Sequence, residues 1–363
     1  MDNEIIRQIH KQDGKFVLAI TGGGASAVTR LLAVPGASNT LLSATIPYHD
    51  RELASYLGGN PEAACSSNTA RSLAMVSWLR ARKLEQSVPV YGLGCTAALA
   101  TNRQRRGDDR CYVAIQSAES TTEIAVTFEK SGRDREEEEN LCSSLVLGLI
   151  AGALDINVDF LSGFRQSDII AEKQKIAEPS WQALIGGDTK VTREEDPPVL
   201  AFPGAFNPIH QGHVKMIEYA EKLTGEKVTL EISIFNVDKP PLDFIEMQSR
   251  HDALQNWPLM FSNAPTFLEK CRLFPGATFM VGIDTLKRMV EPKYYDSSED
   301  KRDQALQEIS NLENRFIVFG RKTAEGFVSL HDLDLPTVLS DNCVCVTQED
   351  FREDISSTEK RAG

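Results

Sequence analysis

Positive charge is in short supply in this sequence. Lys and Arg number 39 against 52 Asp and Glu, a formal net charge of -13. A chain this acidic lacks the basic surface that nucleic acid or anionic lipid requires, so neither is expected as a partner. A local cluster of positive groups can still hold a substrate phosphate, so nucleotides stay open as ligands. Long apolar runs are absent too, and none approaches the ~20 residues of a membrane span. The opening MDNEIIRQIHKQDG is polar and mixed in charge, without the apolar core of a signal peptide. Paired cysteine motifs are missing. The seven cysteines, Cys65, Cys95, Cys111, Cys142, Cys271, Cys343 and Cys345, are odd in number and include no CxxC. Free thiols in a reducing compartment are expected rather than disulfides or zinc, and the expected location is cytoplasmic. No internal repeat of roughly 20 to 50 residues is visible.

What is present is an α/β pattern long enough for two domains. The chain has 363 residues, 41% hydrophobic and 25% charged, which suits two soluble globular cores. In the first half, strands are expected at 15–20, 40–46, 87–93, 110–116 and 121–128, with helices to about Ala33, over 64–84 and over 133–154. The 87–93 strand is read as entering a Gly-rich turn, Gly92 to Thr96. The run Arg135-Glu136-Glu137-Glu138-Glu139 reads as a solvated helix start, helped by the helix dipole. Residues 161–197 are less regular and end in TREEDPP, so the expected organisation is a first domain at 1–160, a linker at 161–197 and a second domain at 198–363. The second half alternates strands (199–202, 228–235, 277–281, 315–319, 343–346) with helices (210–223, 244–256, 265–272, 285–290). That pattern predicts a parallel sheet with helices on both faces and a ligand site at the carboxyl ends of its strands.

The most informative stretch begins where the 199–202 strand ends. The chain turns through Pro203-Gly204 and is expected to enter a helix near Pro208, a residue suited to a first helical position. A helix N-terminus presents unpaired amides and a partial positive charge, which suits phosphate. Gly204 would let the backbone come close to a ligand, and Gly212 would leave room beside one. His210 and His213 are three residues apart and share a face. Two imidazoles there can donate hydrogen bonds to phosphate oxygens and to a leaving group.

The string Gly204-Ala205-Phe206-Asn207-Pro208-Ile209-His210-Gln211-Gly212-His213 resembles the GxFxPxHxGH signature of the nucleotidyltransferase superfamily, which contains adenylyl- and cytidylyltransferases. Asn207 stands where many members have Asp. Other stretches fit that resemblance in order. Lys239, in IFNVDKPP, resembles the lysine used on phosphate. Glu246 to Arg250 resembles a helix that shapes the nucleotide pocket. Phe279 to Leu286 resembles the strand-GxD-helix element of nicotinamide- and nicotinate-mononucleotide adenylyltransferases, which sets Gly282 and Asp284 beside the nucleotides; Asp284 reads equally as a plain N-cap. Arg321, in IVFGRK, resembles the arginine before the final element. Ile355 to Arg361 matches ISSTxxR, in which Ser356, Ser357, Thr358 and Arg361 grip the β- and γ-phosphates. Only Ala362 and Gly363 follow Arg361, so little of the helix that usually continues this motif is expected.

The resemblance implies a Rossmann-like domain that transfers a nucleotidyl group, with His210, His213 and Lys239 as the catalytic set. It implies ATP with Mg²⁺ as one substrate, a pyridine mononucleotide as the other, and no protein-bound metal. The first reading is nicotinamide-nucleotide adenylyltransferase. Another mononucleotide or phosphopantetheine-type adenylyl- or cytidylyltransferase, or a catalytically silent nucleotide sensor, are the alternatives.

In the first half, Thr21-Gly22-Gly23, then Leu32 to Ser38, then Cys111 to Ile115, resemble the nicotinamide-nucleotide amidase family, the C-terminal domain of the CinA competence-damage proteins. The likeness covers about residues 3 to 155. Ala19 occupies the position of the family's nucleophilic serine and Leu53 that of its lysine, while Tyr48 is retained. Without hydroxyl and lysine there is no activated nucleophile. An inactive amidase-like domain is therefore expected, as a scaffold or a homo-oligomer surface. Its Gly-rich turns at Thr21 to Gly24 and Gly92 to Thr96 read either as phosphate sites or as strand-helix corners. The full-length chain should release no ammonia from nicotinamide mononucleotide. Ammonia appearing in proportion to enzyme concentration would show that another nucleophile serves.

Overall fold

The computed structural model describes residues 3–102, 107–130, 132–193, 195–237, 239–323, 326–349 and 351. The chain divides into two compact units. The first is Met1–Gln182 together with Val237–Met247, and the second is Ala183–Asn236 together with Gln248–Gly363. This division differs from the expected boundaries of 160 and 198. The stretch expected to be a linker holds a strand and a helix, and a short segment from the second half of the sequence counts with the first unit.

The first unit is built on a six-stranded sheet of β1 (Lys15–Thr21), β2 (Leu41–Thr45), β3 (Val90–Ala98), β4 (Arg110–Gln116), β5 (Ser120–Thr127) and β6 (Ile169–Ile176), in the order β2-β1-β3-β4-β5-β6. β1 runs parallel to β2 and β3. The β3 to β6 pairs are antiparallel, so the sheet is mixed. Helices α1 (Asn3–Ile9), α2 (Ser26–Ala33), α3 (Asp50–Leu57), α4 (Ser67–Leu84) and α5 (Arg135–Ala153) complete it, and α6 (Pro179–Gly186) follows. β6 lay unseen in the irregular stretch because, as an edge strand, it is mostly solvent-facing and carries Glu172, Lys173, Gln174 and Lys175. The sequence pattern of such a strand gives little apolar alternation. All seven cysteines are free thiols.

Gly92 to Thr96 is not a turn. It is the interior of β3, and its glycines answer to packing. A Cβ on Gly92 would lie 2.0 Å from the Trp78 nitrogen, and one on Gly94 would lie 2.1 Å from the Ala70 carbonyl oxygen. The backbone of α4 therefore lies directly on β3, an approach that only glycine permits. That segment has no room for a phosphate.

The second unit carries a six-stranded sheet in which every pairing is parallel. Its strands are β7 (Leu200–Pro203), β8 (Val228–Ser233), β9 (Leu259–Ser262), β10 (Thr278–Gly282), β11 (Arg315–Phe319) and β14 (Cys343–Val346), in the order β14-β11-β10-β7-β8-β9. A small hairpin of β12 (Arg321–Thr323) and β13 (Gly326–Val328) follows β11. The helices are α7 (Gln211–Thr224), α8 (Phe244–Ala253), α9 (Phe267–Leu273), α10 (Ile283–Met289), α11 (Glu299–Asn311) and α12 (Thr337–Ser340). The order reverses at β7 and β10, the doubly wound arrangement in which ligands sit at the switch point. Phe279, Val281, Phe316 and Val318 are buried with Leu286, Leu306 and Ile309 in one core. α11 gives little apolar periodicity in the sequence because its residues are mostly charged or polar, with only Ala305, Leu306 and Ile309 buried.

A buried ionic cluster organises one part of the first unit. Arg71 on α4 pairs with Glu123 on β5, with Asp243 at 3.0 Å and with Glu246 at 3.5 Å. Asp243 also accepts the Glu246 backbone N–H at 3.0 Å, and the Phe244 N–H donates to the Thr121 hydroxyl at 3.1 Å. Burial opposes the guanidinium charge, but Asp243 and Glu123 outweigh it and raise the Arg71 pKa. Arg71→Ala would leave buried carboxylates without their counter-ion, which costs about 3–5 kcal/mol. Urea unfolding of that variant should show a loss of this size; a loss below about 1 kcal/mol would mean the cluster is not held as described.

Candidate active site at the start of α7

β7 ends at Pro203, and the loop that follows is built around aromatic packing. Phe206 has a positive φ of 45°, which turns its ring inward until only 2% of the residue is exposed. The ring meets Phe202 edge-on at 5.2 Å and His213 at 5.3 Å between centroids. A Cβ on Gly204 would stand 2.7 Å from the Phe206 ring. The space at Gly204 thus serves this internal ring rather than an approaching ligand. The Gly204 N–H donates to the Glu231 carbonyl at 3.0 Å, which ties the loop to β8. Arg250, 8% exposed, donates from its guanidinium to the Ala205 carbonyl. Ala205 and Asn207 are exposed, and the Asn207–Pro208 peptide is cis.

The helix starts later than expected. α7 begins at Gln211 with His210 as its N-cap, so Pro208 lies before the helix rather than at its first position. The difference matters for the two histidines. His210 occupies the cap and His213 the third helical position, and their rings stack at 3.7 Å with an interplanar angle of 24°. The His210 backbone N–H donates to Nδ1 of His213 at 3.2 Å. Burial first, and His210 beside it second, lower the His213 pKa from 6.5 to about 4. The ring is therefore neutral at pH 7. With Nδ1 accepting, its proton sits on Nε2, which makes it a directed hydrogen-bond donor. Gly212 is buried between the histidines.

Asp284 and Arg321, distant in sequence, meet at the carboxyl ends of β10 and β11. The Arg321 guanidinium donates to Asp284 at 2.5 Å, and both side chains are about half exposed at 51%. Gly282, not Asp284, is the N-cap of α10, so the plain-cap reading of Asp284 does not hold; its carboxylate is turned to Arg321. Lys239 falls in the Val237–Met247 segment of the first unit, whereas His210, His213, Asp284 and Arg321 belong to the second. Ser356, Ser357, Thr358 and Arg361 lie outside the described residues. Phe351, the last described residue, packs against Phe319 at 5.2 Å and Tyr219 of α7 at 6.3 Å.

Two groups support the loop: Arg250, from the helix singled out in the sequence, and Glu231, which sequence reasoning missed. Arg250 holds the Ala205 carbonyl. Glu231, fully buried, forms an ion pair with Lys270 at 2.8 Å and accepts from Ser262. A charged residue inside the apolar strand VTLEIS was the available signal for Glu231. Among the described residues, no group of three or more His, Cys, Asp or Glu could hold a metal ion.

In the first unit, the two positions that resemble the amidase serine and lysine are apolar and lie together. Ala19 and Leu53 pack with Tyr56, Leu57 and Leu73 in one buried cluster. Neither position carries a hydroxyl or an amine.

The His213 ring gives the site a pH signature. Folded His213 takes its proton near pH 4 and an unfolded histidine near 6.5, so the unfolded chain binds more protons in between. The stability that this ring contributes is complete above pH 6.5 and is lost as pH falls toward 4, by on the order of 2–3 kcal/mol. Denaturant unfolding at pH 7.5, 6 and 5 should show this slope in the wild type and a flatter one in His213→Gln. Equal slopes would contradict a neutral, half-buried ring.

Residues 201–363 match the family model described as cytidylyltransferase-like. No curated protein matches the chain. Solved structures similar to it include a competence or damage-inducible protein from Enterobacter asburiae, at 13% identity over 42% of this chain and 96% of that one, with a TM-score of 0.34. The competence/damage inducible protein CihA from Agrobacterium tumefaciens is similar at 15% identity over 42% of this chain and 91% of its own, with a TM-score of 0.31. A CinA superfamily protein from Escherichia coli matches at 13% identity over 41% and 81%, with a TM-score of 0.28.

Proposed function

From a C-terminal half that is a cytidylyltransferase-like nucleotidyltransferase domain, we propose that the chain is a nicotinamide-nucleotide adenylyltransferase. It transfers AMP from ATP to nicotinamide mononucleotide and releases pyrophosphate. The observation that carries this reading is the stacked His210–His213 pair at the N-terminus of α7, next to the reversal of strand order between β7 and β10. The choice of a pyridine mononucleotide rests on the resemblance of the Gly282 to Leu286 element and of the first half.

In the proposed reaction a phosphate oxygen of the mononucleotide attacks the α-phosphorus of ATP. The bond from that phosphorus to the β-bridging oxygen breaks, and its electron pair leaves with pyrophosphate. The nucleophile is already ionised at neutral pH, so no general base is needed. What remains for the protein is alignment and charge stabilisation. The α7 N-terminus offers amides and a positive dipole end to the phosphates. The Nε2–H of His213 donates to the charge that develops on the leaving group, and His210 supports it from the cap. Lys239, Ser356 to Thr358 and Arg361 are assigned to the phosphates by resemblance. Among the described residues the site's donors are imidazoles and amides rather than a carboxylate cluster, so Mg²⁺ would enter as part of the ATP substrate with mostly water as its other ligands. The first unit is proposed to be inactive as an amidase.

A pyrophosphate-release assay crossing ATP and CTP with the mononucleotides of nicotinamide and nicotinic acid, and with phosphopantetheine, tests the reading. Turnover should be highest for ATP with a pyridine mononucleotide. His213→Ala should lower kcat on the order of 100-fold with a smaller effect on KM. ATP binding without any pyrophosphate release would instead favour a nucleotide sensor.

A further inference from the structure

The acidic run at the start of α5 is not simply solvated. Asp134 and Glu137 form the capping box of α5. Glu138 is 1% exposed and accepts the Ala100 N–H at 2.7 Å. Arg135, Glu139 and Ser143 recur every four residues and so share one helix face. That face reads the turn between β1 and α2 rung by rung. Arg135 donates to the carbonyls of Gly22 at 3.2 Å and Ala100 at 3.3 Å. Glu139 accepts the Gly24 N–H at 2.7 Å with one carboxylate oxygen and the Ser26 N–H at 3.0 Å with the other. Ser143 donates to the Gly24 carbonyl at 3.3 Å and pairs with the Ser26 hydroxyl.

Two amides converging on one anion at the head of a helix are the donor set that a phosphate would use. Here both are taken by the chain's own carboxylate, in charge-assisted hydrogen bonds. The turn also borders a cavity of about 440 Å³, whose walls include Thr21, Gly22, Tyr48, Arg135, Glu136 and Glu139. The cation at this wall, Arg135, is directed at backbone carbonyls, and the two glutamates would repel a dianion at short range.

We infer that Glu139 is a resident anion that closes this amide cradle to phosphate, so that the cavity of the first unit excludes ligands presenting a phosphate at the turn. The inference stands on the first unit alone and is independent of the reaction proposed for the second.

Inorganic phosphate is the probe, titrated into the full-length, isotope-labelled protein while backbone amide resonances are followed. In the wild type, the Gly24 and Ser26 signals should stay in place. In Glu139→Ala they should shift saturably, with an affinity at least about tenfold tighter than any wild-type response. The amides from Phe206 to Gly212 report phosphate at the second unit separately. A saturable wild-type shift at Gly24 and Ser26, or a folded Glu139→Ala that does not respond, overturns the inference. Should thermal unfolding show that Glu139→Ala is not folded, Glu139→Gln decides. It keeps the bulk and one acceptor oxygen but loses the charge, so it should show a weaker saturable shift, and its silence overturns the inference equally.

Discussion

The hydrogen bond from the His210 backbone N–H to Nδ1 of His213 is the contact on which the candidate site depends. It satisfies an amide that the helix start would otherwise leave open, and it chooses the tautomer of the ring. Once Nδ1 accepts, the neutral ring has one donor, Nε2–H. The stacked His210 ring and the edge-on Phe206 and Phe202 rings hold that donor in place. A half-buried, neutral imidazole gives up the attraction of a full positive charge. In exchange it carries a directed proton that needs no reorganisation when charge develops on a nearby oxygen.

The two units treat the same structural element in opposite ways. Each has a helix entered from a strand through a Gly-containing turn, and each therefore has amides pointing into a loop. At α7 the cap is a histidine, and the neighbouring side chains are neutral rings. At α2 the amides meet Glu139, and the positions that resemble a serine and a lysine are Ala19 and Leu53 in an apolar cluster. Around α2, packing and internal hydrogen bonds take up both the apolar cluster and the helix-head amides.

Buried charge is handled by pairing in both units. Arg71 gathers Glu123, Asp243 and Glu246, and Lys270 neutralises Glu231. The second pair is close to balanced in charge and adds the Ser262 hydroxyl and the Ala264 carbonyl as further partners. The first holds more carboxylates than cations, and burial accordingly raises the Asp243 pKa despite Arg71. Such a cluster persists only while its arginine stays in place.

By itself, the sequence determined the α/β class, the parallel character of the second sheet and the location of the histidine pair. These rest on local signals: short, mainly apolar strands of four to six residues, two of them ending in proline or glycine, and a motif whose members sit within ten positions of one another. The charged edge strand β6 and the charged helix α11 carried little periodic signal, so they emerged only from pairing and packing. Gly92 and Gly94 looked like a turn because a short-range reading cannot show that α4 lies on them. The tautomer of His213, the Asp284–Arg321 pair and the seating of Glu139 on Gly24 and Ser26 were likewise decided by tertiary structure. Each depends on groups far apart in the chain, or on a helix boundary shifted by a few residues, and burial and hydrogen bonding act on distance in space rather than on separation in sequence.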